Sequence, residues 1–407
     1  MRWYESIGRE QWKALAAAQL GWMLDATDVM LYAFALTSIQ AEFGLSSGTA
    51  GLLMTATLVS SSAGGILSGW LSDRYGRVRM LTYSILTFSV FTAMTATATS
   101  AGALLVWRAL VGLGLGGEWS AGSVLVAEVF PAEHRGKVIG IMQSGWAIGY
   151  ILAALLAAAI LPAYGWRPLF VVGLFPALLA AWIRRSVAEP EIWKSARRSA
   201  RQRPASALSI FRPPLLRNTG VAMLLATTVL FAYWGLFSWL PAYLATPLAR
   251  GGAGMSLVRS STWIIAVQAG AFLGYASFGY FSDRFGRRPS FMAFVLGAAA
   301  LTPLYGQCGR YPLALMLLGP LVGFFGHGYF SVFGALLAEL FPSAVRGMAQ
   351  GLCYNVGRAA GGLAPLAIGG LADFYGIGPA LAVTSLFFLA AAGLIWLLPE
   401  TRGEQLA

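Results

Sequence analysis

The stretch Gly69-Trp-Leu-Ser-Asp73-Arg74-Tyr-Gly76-Arg77 is written a second time as Gly279-Tyr-Phe-Ser-Asp283-Arg284-Phe-Gly286-Arg287, 210 residues later. Each copy closes one long apolar run and opens the next. A second signature repeats at almost the same distance. Glu128-Val-Phe-Pro131 followed by Arg135-Gly136 returns as Glu339-Leu-Phe-Pro342 followed by Arg346-Gly347, at an offset of 211. Two independent signatures at nearly one offset mark a duplicated unit. Repeated halves in a membrane point to a transporter whose site lies where the halves meet.

Composition agrees. Apolar residues make up 57% of the chain and charged residues 11%, against roughly 25% charged in a soluble domain. Runs long enough to cross ~30 Å of hydrocarbon recur along the chain. The pattern predicts twelve spans, from 14–40 to 378–398, six in each half. The expected organisation is an all-α, multi-pass membrane protein: a six-helix bundle over 1–185, a linker over 186–217 and a second six-helix bundle over 218–407. The first run carries acidic residues at its centre and no cleavage-site pattern, so it reads as a retained span.

A net charge of +12 raises the question of nucleic acid, but the distribution answers it. Arg74, Arg77, Arg79, Arg135, Lys137, Arg284, Arg287, Arg288 and Arg346 follow even-numbered spans, as does the basic stretch 184–217. The opposite loops hold only Arg167, Arg250, Arg259 and Arg310. The positive-inside rule then places both termini and the linker in the cytoplasm, with the cell inner membrane as the location in a bacterium. The basic excess is a topology signal and no nucleic-acid partner is expected. Cys308 and Cys353 lie far apart in the sequence, in or beside different spans, and suggest neither a disulfide nor a metal site. No Walker-type phosphate loop is present, so neither ATP nor any cofactor is expected, and the chain does not read as an enzyme.

These motifs carry a resemblance. The Gly-x-Leu-x-Asp-Arg-x-Gly-Arg loop between spans 2 and 3, repeated between spans 8 and 9, resembles the signature of the major facilitator superfamily. Arg108-x-x-x-Gly112-x-Gly114-x-Gly116-Gly117-Glu118 is similar to its span-4 motif. Leu24-Asp25-Ala26-Thr27-Asp28 and Gly116-Gly117-Glu118-Trp119 resemble the organic-acid proton symporter branches, which serve sialate and monocarboxylates, aromatic acids and metabolites. Gln11-Trp12-Lys13-Ala14 and Tyr354-Asn355-Val356-Gly357 look most like the sialate and monocarboxylate group. The resemblance implies a monomer that moves a small organic anion with protons by rocking its halves. A drug or metabolite exporter and a sugar porter are the alternatives.

Few ionisable residues fall inside the spans, where each costs ~2.5–3.5 kcal/mol at mid-helix and so needs a partner, water or a role. Asp25 and Asp28 are three apart and share a helix face. Two carboxylates in a dehydrated space repel, which suits loading and unloading a proton; Asp28, nearer the centre, is the expected carrier. Arg358, in the middle of span 11, has a fork that matches a carboxylate, and Tyr354 lies one turn away on the same face. The pair is expected to hold the substrate, unless Arg358 is bound permanently to Asp25, Asp28 or Glu118. Arg108 and Glu118 are candidates for proton coupling, and so is His327, whose ordinary titration range suits a relay. Gln143, Gln268, Asn355 and Tyr32 are candidate polar contacts to the substrate. Gly69, Asp73, Arg74, Arg77, Glu128 and Arg135, with Asp283, Arg284, Glu339 and Arg346 in the second half, read as a gating latch. In it, Gly69 and Gly279 would let helices approach closely. Pro241 predicts a broken span 7 that serves as an outer gate, with Trp239 and Tyr243 in an interfacial belt.

Overall fold

The computed structural model describes residues 7–130, 135–191, 193–194, 210–341 and 346–401, and every regular element among them is helical. Twelve helical units follow one another. In the first half they are α1 (Arg9–Phe43), α2 (Ser47–Tyr75), α3 (Arg77–Thr95), α4 (Ala101–Val129), α5 (Arg135–Tyr164) and α6 (Trp166–Val171 and Pro176–Ser186). In the second they are α7 (Leu215–Phe237 and Leu240–Ala245), α8 (Leu257–Phe285), α9 (Arg287–Gln307), α10 (Pro312–Gly328 and Phe330–Glu339), α11 (Arg346–Gly361 and Ala364–Tyr375) and α12 (Ile377–Ala382 and Thr384–Leu394). Eight of these are long and apolar enough to cross a membrane on those grounds alone. The other four fall short for local reasons. Asp25 and Asp28 dilute α1, six serines and threonines run through α3, α10 breaks at Tyr329, and α11 breaks after Gly361 while carrying Asn355 and Arg358.

Within the first bundle α4 packs on α2 and α3, and α1 on α5; in the second α10 packs on α8, α11 on α7 and α12 on α9. The glycine run of α4 explains how tightly. A Cβ at Gly112 or Gly116 would strike the backbone of Thr57 or Ser61 on α2, and one at Gly114 the backbone of Phe88 on α3. The run is a two-sided packing surface.

The bundles meet along two seams, α5 against α8 and α2 against α11. In the second, a Cβ at Gly51 would lie 2.6 Å from the Pro365 carbonyl oxygen, and one at Gly65 would lie 2.5 Å from Asn355 Oδ1. The seam is closed from the far end through its middle. One turn further, a Cβ at Gly69 or Gly351 meets nothing within 4 Å among the described residues. This corrects the expected close approach at Gly69 and Gly279. A Cβ at Gly279 also meets nothing within 4 Å among the described residues, while one at Gly140 lies 3.6 Å from the Tyr275 carbonyl oxygen. Trp239 and Tyr243 depart from expectation too: both are buried, donating to the carbonyl oxygens of Pro365 and Tyr305, so they form no interfacial belt.

The signature loops form one network twice over. Arg77 pairs with Glu128 at 3.1 Å and donates to Ser72; Arg287 lies 3.5 Å from Glu339 and donates to Ser282. The turns need glycine. Gly76 sits at φ 118 and Gly286 at φ 101, where a side chain would be strained. At each turn a carboxylate accepts the first free N–H groups of the following helix: Glu189 from Val78 and Arg79, and Glu400 from Arg287 and Arg288. The side chains of Asp73, Asp283, Arg135 and Arg346 lie outside the described residues.

Candidate functional site

Between the bundles lies a narrow cavity lined by Trp22, Gln143, Trp146, Leu230, Tyr233, Trp234, Tyr275, Phe330, Tyr354 and Arg358. Three of these residues come from the first half and seven from the second. Its aromatic wall is continuous: Trp22 and Trp146 rings are 4.7 Å apart, Trp146 meets Trp234 edge-on at 5.7 Å, and Tyr233 meets Trp234 edge-on at 5.3 Å. Towards the signature loops, Tyr354 stacks on Trp119 of the opposite half at 4.0 Å. Towards the other end, Tyr150 of α5 donates to the Phe237 carbonyl of α7 at 2.9 Å. That carbonyl is free because its helical partner would be the N–H of Pro241, which proline lacks. Both inter-half contacts are buried, and they bracket the cavity.

Arg358 is 2% exposed, and none of its three guanidinium nitrogens has a hydrogen-bond partner among the described residues. No described carboxylate reaches ion-pairing distance, so the expected permanent salt bridge to Asp25, Asp28 or Glu118 is not formed. Asp25 and Glu118 are nevertheless close enough to share its field. All four of their carboxylate oxygens are buried without a hydrogen-bond partner. Glu118 reaches this depth because α1 has glycine at 21: a Cβ there would fall 2.4 Å from Glu118 Oε1. A fully buried charge without a partner costs on the order of several kcal/mol. Three such groups from α1, α4 and α11 therefore converge at one place under strain that a ligand or a proton can relieve.

Asp28 belongs to a second cluster. It faces Arg108 at 3.7 Å and accepts from Thr92. Arg108 also donates to Thr57 and lies over the Tyr32 ring at 4.9 Å, a cation–π arrangement. Tyr32 donates to the Ala50 carbonyl. The 3-10 turn Val172–Leu174 of α6 closes over the cluster with Gly173, where a Cβ would strike Thr92. Asp25 and Asp28, expected on one face, thus serve two neighbouring sites, and Tyr32 and Arg108 stand outside the cavity wall.

The remaining candidates divide. Gln143 is in the wall, its oxygen accepting from Trp119 Nε1 at 3.3 Å. His327 sits behind the wall: its Nδ1 lies 3.0 Å from the Gly323 carbonyl and its Nε2 3.2 Å from the Tyr233 hydroxyl. The carbonyl can only accept, so Nδ1 carries the proton of the neutral ring and Tyr233 donates to Nε2. Asn355 donates to Gly351 in the α2–α11 seam, and Gln268 is buried with both amide atoms unpartnered; neither lines the cavity. Trp22, Leu230, Tyr275 and Phe330 line it although nothing in the sequence singled them out. Trp22 carried a signal, since it precedes Asp25 by three and so lies on the same helix face. Glu189 and Glu400 were legible as well, lying 211 residues apart beside Pro190 and Pro399.

The Major Facilitator Superfamily sequence profile matches residues 20–277 and 247–406. A Haemophilus influenzae protein assigned to metabolite transport is 37% identical over 97% of this chain and 98% of its own length. The cis,cis-muconate transport protein of Acinetobacter baylyi is 35% identical over 91% of this chain and 90% of its own. Among solved structures, the Escherichia coli xylose transporter in a partially occluded inward-open conformation superposes with a TM-score of 0.75 at 20% identity, covering 98% of this chain and all of that one. A likeness at that identity speaks for the fold alone.

Proposed function

The chain belongs to the major facilitator superfamily, and from that premise we propose that it takes up a small organic anion together with protons by alternating access. One observation carries the reading: a buried, unpartnered Arg358 guanidinium in an aromatic cavity between the halves, with Asp25 and Glu118 beside it. The guanidinium receives the substrate carboxylate on two parallel N–H bonds. Charge balance supplies the coupling. With both carboxylates ionised the cluster holds one net negative charge, and a bound acid makes it two in a poorly solvated space. A proton on Asp25 or Glu118 restores the original balance, so acid and proton bind more favourably together than apart.

Asp28 is the proton carrier of the second cluster. While ionised it holds Arg108; once protonated it releases the guanidinium, and α1 and α4 are free to move relative to each other. Tyr354 and Gln143 orient the substrate, and His327 holds Tyr233 in place. The Arg77–Glu128 and Arg287–Glu339 networks, with Asp73, Arg74, Arg135, Asp283, Arg284 and Arg346, act as the cytoplasmic latch. The similarity to a muconate transporter supports an organic acid as substrate. A sugar porter is the second reading; the fold shared with the xylose transporter does not choose between substrates, and a cavity walled mainly by rings offers a polyol few acceptors.

The test is uptake of a panel of labelled carboxylates and sugars by cells expressing the protein, at two external pH values. Accumulation of at least one acid, greater at the lower pH, is expected. Sugar accumulation with no response to any acid would overturn the proposal.

A further inference from the structure

The cavity wall is rich in hydrogen-bond donors and poor in acceptors, and this deepens the organic-anion reading on which it rests. Arg358 presents five N–H groups, none of them engaged. Trp22 and Trp234 each carry a buried indole N–H without an acceptor. The Trp146 N–H has none in hydrogen-bonding range and leans towards the Tyr233 hydroxyl. Gln143 has its oxygen taken by Trp119, which leaves its amide N–H pair for the cavity. Among the lining residues no side chain is an acceptor alone; the rest are tyrosine hydroxyls, which serve either way, and apolar groups. Asp25 and Glu118, the local acceptors, stand beside Arg358 rather than in the wall.

A buried donor left unsatisfied costs ~1–3 kcal/mol. Here such donors come from three helices, α1, α5 and α7, of both halves, and their rings form one aromatic box. One carboxylate on Arg358 would not serve them. A polyhydroxylated substrate would bring further donors to a wall whose own acceptors are its tyrosine hydroxyls. We propose that the transported acid has a flat, unsaturated frame bearing, apart from the carboxylate held by Arg358, a second hydrogen-bond acceptor that meets the tryptophan N–H groups. That acceptor is a carbonyl or lactone oxygen, a ring nitrogen or a second carboxylate.

Calorimetric binding to the purified full-length protein tests this with four probes. Benzoate has one carboxylate and no second acceptor. Nicotinate adds a ring nitrogen, cis,cis-muconate adds a second carboxylate, and shikimate carries hydroxyls on a ring with a single double bond. Nicotinate and muconate are expected to bind at least tenfold more tightly than benzoate, and shikimate more weakly than benzoate. Trp22→Phe and Trp234→Phe keep a ring and remove the N–H. They should bring nicotinate and muconate to within about threefold of benzoate, whereas Arg358→Lys weakens all acids alike. Benzoate binding as tightly as the two-acceptor acids, shikimate binding tightest, or tryptophan variants that weaken every acid equally would overturn the inference while leaving the organic-anion reading standing. Failure of every acid to bind would remove both. The wild-type ranking needs no variant, so a poorly folding substitution does not blunt the test.

Discussion

At the scale of single residues, geometry separates groups that the sequence had pooled. Asp25 and Asp28 are three apart, yet one stands with Glu118 and Arg358 and the other with Arg108 and Thr92. Spacing predicted a shared face correctly, but not that the face is wide enough to touch two clusters. Arg358→Lys keeps the charge and loses the fork, so the apparent KM for the acid should rise at least tenfold with a smaller change in maximal rate; a wild-type KM would exclude two-point binding. Asp28→Asn removes the titrating group while preserving shape. Accumulation driven by a pH gradient should vanish while exchange of labelled for unlabelled acid persists. The pair of Glu42 and Arg167 is of another kind. Glu42 accepts at 2.7 Å from Trp166 Nε1 and binds Arg167 through both oxygens. Hydrogen bonds from Arg167 and Trp166 hold its carboxyl below the usual range. The folded-state value is lowered, so its stabilising effect is present above the ordinary carboxylate range and lost as pH falls. Both groups are about two-fifths exposed, so the effect is small. Glu42→Gln should lower the unfolding temperature slightly at pH 7, and the difference should close towards pH 4.

At the scale of elements, the breaks shape the contacts between the halves. Pro241 predicted the interruption of α7 from sequence alone, but not the hydrogen bond it makes available. Tyr150 is 91 residues before Pro241, and only the folded chain brings its hydroxyl to the Phe237 carbonyl. This bond joins the halves at the end where the α2–α11 seam is closed. A neutral hydrogen bond is worth ~0.5–1.5 kcal/mol net, so Tyr150→Phe should shift the population towards the state open at that end by about two- to tenfold. Spin-label distances across the Gly51–Pro365 end would report it, and an unchanged distribution would show that the bond does not hold the gate. The caps on α3 and α9 make a parallel case. Glu189→Gln or Glu400→Gln weakens the acceptor at a helix N-terminus by about 1 kcal/mol. Transport should slow with substrate affinity unchanged.

At the scale of the molecule, the duplication was legible because apolar runs and loop signatures are local patterns that survive divergence. The cavity wall was less so. His327 lies 211 residues after Gly116, and the second half supplies seven of the ten lining residues, so the halves have diverged around the cavity. Which aromatic faces a cavity, a seam or lipid depends on helix rotation, and periodicity is weak in spans that are apolar on nearly every side. Every expectation about mechanism reduces to one claim: an acid's carboxylate meets Arg358 beside exchangeable carboxyls, and the two halves carry acid and proton across together. The most direct measurement is luminal pH in proteoliposomes enclosing a pH-sensitive dye, after addition of an accepted acid, with protein-free liposomes to subtract passive entry. The account predicts acidification of the lumen in step with acid uptake, moved to at least tenfold higher acid concentration in Arg358→Lys and lost in Asp28→Asn. Acid uptake with no proton entry, or with protons leaving as the acid enters, would contradict it.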